Sequence, residues 1–213
     1  SINLGQIPRS YIDPQMYLMF ELSSTAGADN AVLGSGALKT NTTGAFNTAI
    51  GRAAMQENTT ASNNTAVGYA ALIANTTGTD NTAVGAASLD ANTTGVENTS
   101  VGKSSLTGNT TGDYNVAVGE NALANNTTAD NNTAVGRRAL LANTTGAENT
   151  AVGANALDAN TTASYNSAIG VGALGTNTSG ANNTAIGHSS LFANTTGIVN
   201  TAVGATSLDA NTT

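Results

Sequence analysis

Aliphatic and small residues recur along this chain at a fixed interval of 17, without insertion or deletion, from Asn30 onward. The unit Asn64-Thr-Ala-Val-Gly-Tyr-Ala-Ala-Leu-Ile-Ala-Asn-Thr-Thr-Gly-Thr-Asp80 shows the pattern. Its fourth position is always Val, Ile or Leu, and its ninth is Leu except at Met55. A helix would rotate about −100° per 17-residue copy and smear these two columns around a cylinder. Stacked β-coils, each about 4.8 Å above the last, turn every column into a ladder. The pattern therefore predicts an all-β chain: a parallel β-solenoid of eleven 17-residue coils over residues 30–213, preceded by a non-repeat segment, residues 1–29. Eleven coils make a rod roughly 50 Å long.

The columns assign roles. The aliphatic ladders Val67, Val84, Val101, Val118 and Val135, and Leu72, Leu89, Leu106, Leu123 and Leu140, are expected to form the core. Asp at Val118 or Leu123 is then expected to unfold the middle coils, and Ser at Arg137 to do little. Glycine fills the fifth column, as at Gly68, Gly85 and Gly102, and marks a corner. Asparagine fills the twelfth, as at Asn75, Asn92, Asn109, Asn126 and Asn143, and suits a turn or a stacked amide ladder. Two strands per coil follow: Thr-Ala-Val-Gly and the segment around Ala-Leu-x-Ala. The third column (mostly Ala) and the eighth (Ala or Ser) each precede a core position, so strand alternation would turn them outward as a docking face for another chain. A cramped interior without strict alternation is the other reading of both.

In residues 1–29 lie both prolines and the densest apolar cluster, including Tyr17, Leu18, Met19, Phe20 and Leu22. This segment reads either as a cap over the first coil or as a connector to another subunit. Thr213 falls before the turn glycine of its unit, so the last coil is expected to be open. Further repeats, or the N-terminal segment of a neighbour in a head-to-tail filament, would cover it.

Composition narrows the function. Charged residues make up 9% of the chain and the net charge is −7, without basic clusters, which argues against nucleic-acid binding. There are no cysteines, and no apolar run approaches the length of a membrane helix. His188 lies in the variable sixth column without a matching acid or nucleophile column, and Asp90, Asp158 and Asp209 are several coils apart. No catalytic residue, cofactor or metal site is predicted. The recurrent Asn-Thr-Thr/Ser sequons would crowd glycans on coils about 4.8 Å apart, which favours an asparagine ladder. Ice binding would call for a flat outward threonine array, and Thr-Thr neighbours on a strand point to opposite sides.

At Asn166-Ser-Ala-Ile-Gly170 and Asn183-Thr-Ala-Ile-Gly187 the chain resembles the head repeats of trimeric autotransporter adhesins, approximately N-S-x-A-I-G-x-x-S-x-A-x-G. The units here are longer, with Asn-Thr-Thr inserted in the second turn. The longer unit is also similar to shaft repeats of phage tail-fibre-like proteins. These resemblances cover residues 30–213. They imply a left-handed parallel β-roll assembled as a trimer on a cell surface or virion, binding a surface receptor or glycan. The sequence thus predicts a non-enzymatic extracellular structural fibre, self-associating and adhesive. A trimeric adhesin or tail-fibre shaft, a self-polymerising filament and an ice-binding solenoid remain the alternatives.

Overall fold

The computed structural model describes residue 27 and residues 29–213. The proposed connector residues Tyr17, Leu18, Met19, Phe20 and Leu22 lie outside these. Three consecutive extended residues recur in each coil, from β1 (Ala31–Leu33) and β2 (Thr48–Ile50) through β6 (Val116–Val118) to β11 (Thr201–Val203). The eleven strands pair in chain order as one parallel sheet. Registers are unit to unit, with Thr65 beside Thr82 and Val67 beside Val84. The chain is a parallel β-solenoid without an α-helix among the described residues, and so without one able to cross a membrane.

Each coil contributes one strand, not two. The Ala-Leu segment is a turn because its backbone alternates in handedness: Asn121, Leu123 and Asn131 take φ of 57°, 50° and 59° in the coil 115–131. The same three columns are left-handed in each of the ten coils from Asn30 to Val199, at a cost of roughly 1–2 kcal/mol for each non-glycine residue. Axial hydrogen bonding offsets this. Within that coil the N–H groups of Val116, Leu123, Asn125 and Thr127 donate to the coil above, at 2.8, 3.0, 3.2 and 3.1 Å. Those of Gly119, Asn121 and Asn131 donate to the coil below, at 2.8, 3.1 and 3.1 Å. Backbone pairing therefore continues outside the strands, and few polar groups are left to water.

The interior differs from the sequence expectation in one respect. Leu72, Leu89, Leu106, Leu123 and Leu140 are fully buried. Val67, Val84, Val101, Val118 and Val135 are not core: they are half-buried on the outer face of the sheet, whereas the alanines before them are fully inside. The physical reason is parity. Asn115 and Ala117 share one side of the strand and Val116 and Val118 the other. Turning Val118 inward would turn the Asn115 amide outward, and that amide is committed. Its backbone N–H donates to Asn98 Oδ1 at 2.9 Å and its Nδ2 to the Ala129 carbonyl at 2.8 Å. The third and eighth columns are therefore interior, which overturns the outward-docking reading of both. Ser100, which replaces alanine in the third column, meets buried serines there: its hydroxyl lies 2.6 Å from Ser105 Oγ, and Ser88 Oγ donates to it at 2.7 Å.

Candidate functional site

Two asparagine ladders run the length of the rod and meet at one corner. In the twelfth column Asn109 Nδ2 donates to Asn92 Oδ1 at 2.9 Å and to the Gly112 carbonyl at 2.9 Å, and Asn126 donates to Asn109 Oδ1 in turn. Asn98, from the first column, donates to the same Gly112 carbonyl at 2.8 Å. Each such carbonyl is thus gripped by two amides of its own coil. From Asn41 to Asn194 the twelfth column is buried. Asn75, Asn92, Asn109, Asn126 and Asn143 are consumed as structural amides, and their nitrogens are not available to a sugar in the folded rod.

This assignment has a direct test. Asn109→Ala leaves the Asn92 oxygen unmatched and deprives Asn126 of an acceptor, so it is expected to cost about 2–3 kcal/mol. Thr111→Ala destroys the same sequon at an exposed position and is expected to cost less than about 0.5 kcal/mol. Thermal melts separate the two. Equal shifts would mean that the sequon, and not the amide, matters.

Gly68, Gly85 and Gly102 sit at the corner after the strand with φ of 141°, 136° and 137°. The corner directs the outward columns onto distinct faces. One face is the exterior of the sheet, made by the second column, mostly Thr, and the fourth, Val, Ile or Leu. Over eleven rungs these two columns hold no charged residue. Ile50, Ile169 and Ile186 remain 38%, 43% and 39% exposed on it. A second uncharged face carries the Thr-Thr pairs. This segment is not a strand, and both neighbours turn outward: the thirteenth column is half-buried to exposed, the fourteenth exposed. Thr-Thr neighbours therefore point to the same side here, not to opposite sides as on a strand. Thr110 Oγ1 donates to the Thr127 carbonyl at 3.0 Å, which fixes the rotamer of that column.

Charges occupy other columns. In the sixth, Arg52 stacks 5.7 Å from the centre of the Tyr69 ring, and Arg137 lies 3.7 Å from Glu120. Both pairs are exposed and contribute little to stability. His188 is exposed in the same column. Burial pushes the Asp158 carboxyl above its ordinary range, with the Arg138 guanidinium 3.8 Å away opposing the shift. No cluster of three or more potential metal ligands occurs among the described residues. Exposed aromatic rings punctuate the surface at Phe46, Tyr69, Tyr114, Tyr165 and Phe192, a signal that column variability alone did not single out. No protein-family model matches the chain, nor does any curated protein or solved structure, so its classification rests on the fold: a parallel β-solenoid of 17-residue coils.

Proposed function

We propose that this chain is a segment of a non-enzymatic extracellular fibre that associates with copies of itself through the outer face of its sheet and presents its variable columns for adhesion. The observation that carries the reading is the uncharged Thr-x-Val face, unbroken over eleven rungs in a chain that places its charges elsewhere. Rungs about 4.8 Å apart, with outward residues on either side of each strand's centre, give an area of about 600 Å². It approaches the ~800 Å² that each partner commits to a stable interface. The other copies bury this face most economically, since one flat repeating surface matches another rung for rung. Closure around three copies, as the adhesin and tail-fibre resemblances imply, would cover it on every chain.

The double substitution Val118→Lys with Val152→Lys places cations on this face without touching the interior. The expected result is a particle one chain in mass by light scattering, with an unchanged circular dichroism spectrum, from a wild type that is multimeric. A wild type that is monomeric at tens of micromolar would remove the self-association reading. A second reading, ice binding, is favoured by the two adjacent outward threonine columns. Thermal hysteresis in a freezing-point assay is its direct test, and Thr111→Lys with Thr128→Lys would abolish it.

A further inference from the structure

One place on the rod departs from the column pattern in a way that builds a site. In the coil 166–182 the seventh and tenth positions are both glycine, Gly172 and Gly175, where the coil below carries Asn155 and Asp158 and the coil above Ser189 and Phe192. No other coil combines the two. The missing side chains open a notch of about 490 Å³, walled by these residues and by Arg138 and Val171. Its volume is in the range of small-molecule sites.

Three features make the notch more than a gap. Phe192 leans down over the glycine floor: its ring comes 2.9 Å from where a Gly175 Cβ would stand and 3.7 Å from that of Gly172. Any side chain at Gly175 would displace the ring, so the glycine and the aromatic form one arrangement. With one side of the ring on the floor and the residue 43% exposed, the remaining surface faces the notch and solvent. Its backbone is anchored, because Thr176 Oγ1 donates to the Phe192 carbonyl at 2.6 Å. Across the notch the Arg138 side chain is 41% exposed, and its guanidinium, with Nη2 3.8 Å from Asp158 Oδ2, presents N–H donors. Beside it Asp158 supplies acceptors, and Asn155 both donors and acceptors.

We infer that this notch binds a neutral saccharide, one pyranose ring stacking its C–H face on Phe192 while its hydroxyls bond Arg138, Asn155 and Asp158. The inference rests on the adhesive reading above and names the class of its receptor. Charge decides the class. Arg138 and Asp158 together are neutral, so they hold no net attraction for a cation or an anion, and they offer both donors and acceptors. A purely apolar ligand would strip water from that ion pair without replacing its hydrogen bonds. A neutral sugar has an apolar face for the ring and hydroxyls that both give and accept.

The test uses the full chain on an array of neutral mono- to tetrasaccharides built from glucose, galactose, mannose and N-acetylglucosamine. Sialylated and phosphorylated saccharides and choline serve as charged controls. Retention of one or more neutral saccharides is expected. Phe192→Ala and, separately, Asp158→Asn should each weaken it at least tenfold, while both keep the wild-type melting temperature within a few degrees. No neutral saccharide retained, retention of charged probes alone, or undiminished binding by Phe192→Ala would overturn the inference. Adhesion to intact cells is measured in parallel. Equal adhesion by wild type and Phe192→Ala discards the notch and leaves the adhesive reading standing; no adhesion by wild type discards that reading itself.

Discussion

Leu123→Asp is expected to melt the centre of the rod, and Val118→Asp, five residues earlier in the same coil, is expected to leave it nearly intact. Leu123 is fully buried in the ninth-column ladder, between Leu106 and Leu140. Removing it forfeits the several kcal/mol that a buried leucine contributes, and the carboxylate that replaces it has no partner in the interior. The combined loss exceeds about 4 kcal/mol. Because a repeat protein is held by nearest-neighbour interfaces, the damage concentrates in the coils on either side. Amide exchange in residues 98–149 should rise by orders of magnitude before that in residues 47–80. Val118 lies half-buried on the outer face, where an aspartate reaches water, and its cost stays near 1 kcal/mol. Equal falls in melting temperature for the two would mean that the inside and outside of the strand have been exchanged.

The second large effect comes from the corner glycines. At Gly119 an added Cβ would lie 2.7 Å from the carbonyl carbon and oxygen of Gly136, and the backbone has φ of 130°. The clash is with main chain, which cannot turn aside as a side-chain tip can. Gly119→Ala therefore combines overpacking, about 1–3 kcal/mol, with conformational strain of about 1–3 kcal/mol. Gly36, with φ of 72°, has only the far end of the Gln56 side chain near its missing side chain, at 3.4 Å. Gly36→Ala should show the conformational part alone. Urea denaturation of the two variants separates steric contact from backbone preference, and equal midpoints would deny the close approach between coils.

The period, the solenoid and the buried leucine ladder could be read from residues because each depends on regularity and hydrophobicity, which the chain displays openly. The inward alanine and outward valine could not be read by ranking apolarity. What orients β6 is the pair of amide ladders, and their geometry enters only when Asn98, Asn109 and Gly112 meet. The missing second strand has a similar origin. Leucine is a poor candidate for a left-handed residue, so nothing in Ala122-Leu123 announces that Leu123 has φ of 50°. The conformation is imposed by axial hydrogen bonding and by the need to place the leucine inside a coil of only 17 residues. The notch escaped notice for the opposite reason. Gly172 and Gly175 lie in columns that vary freely, where a pair of glycines looks like ordinary drift until Phe192 is seen lying across them.

The nearest-neighbour bonding of the coils gives the rod a graduated length. Every ladder and axial bond joins adjacent units at a fixed offset of columns, so removing residues 98–114 would bring Asn115 onto Asn81 with the first- and twelfth-column asparagines, the ninth-column leucines and the fifth-column glycines still over their like. The rod would shorten by about 4.8 Å and keep its cross-section. A duplication lengthens it by the same step. The notch needs only the run from Arg138 to Phe192, so unequal recombination among the earlier coils would raise or lower that site in whole steps without altering its chemistry. Position along the rod and the make-up of the notch are thereby separate traits, open to change one at a time.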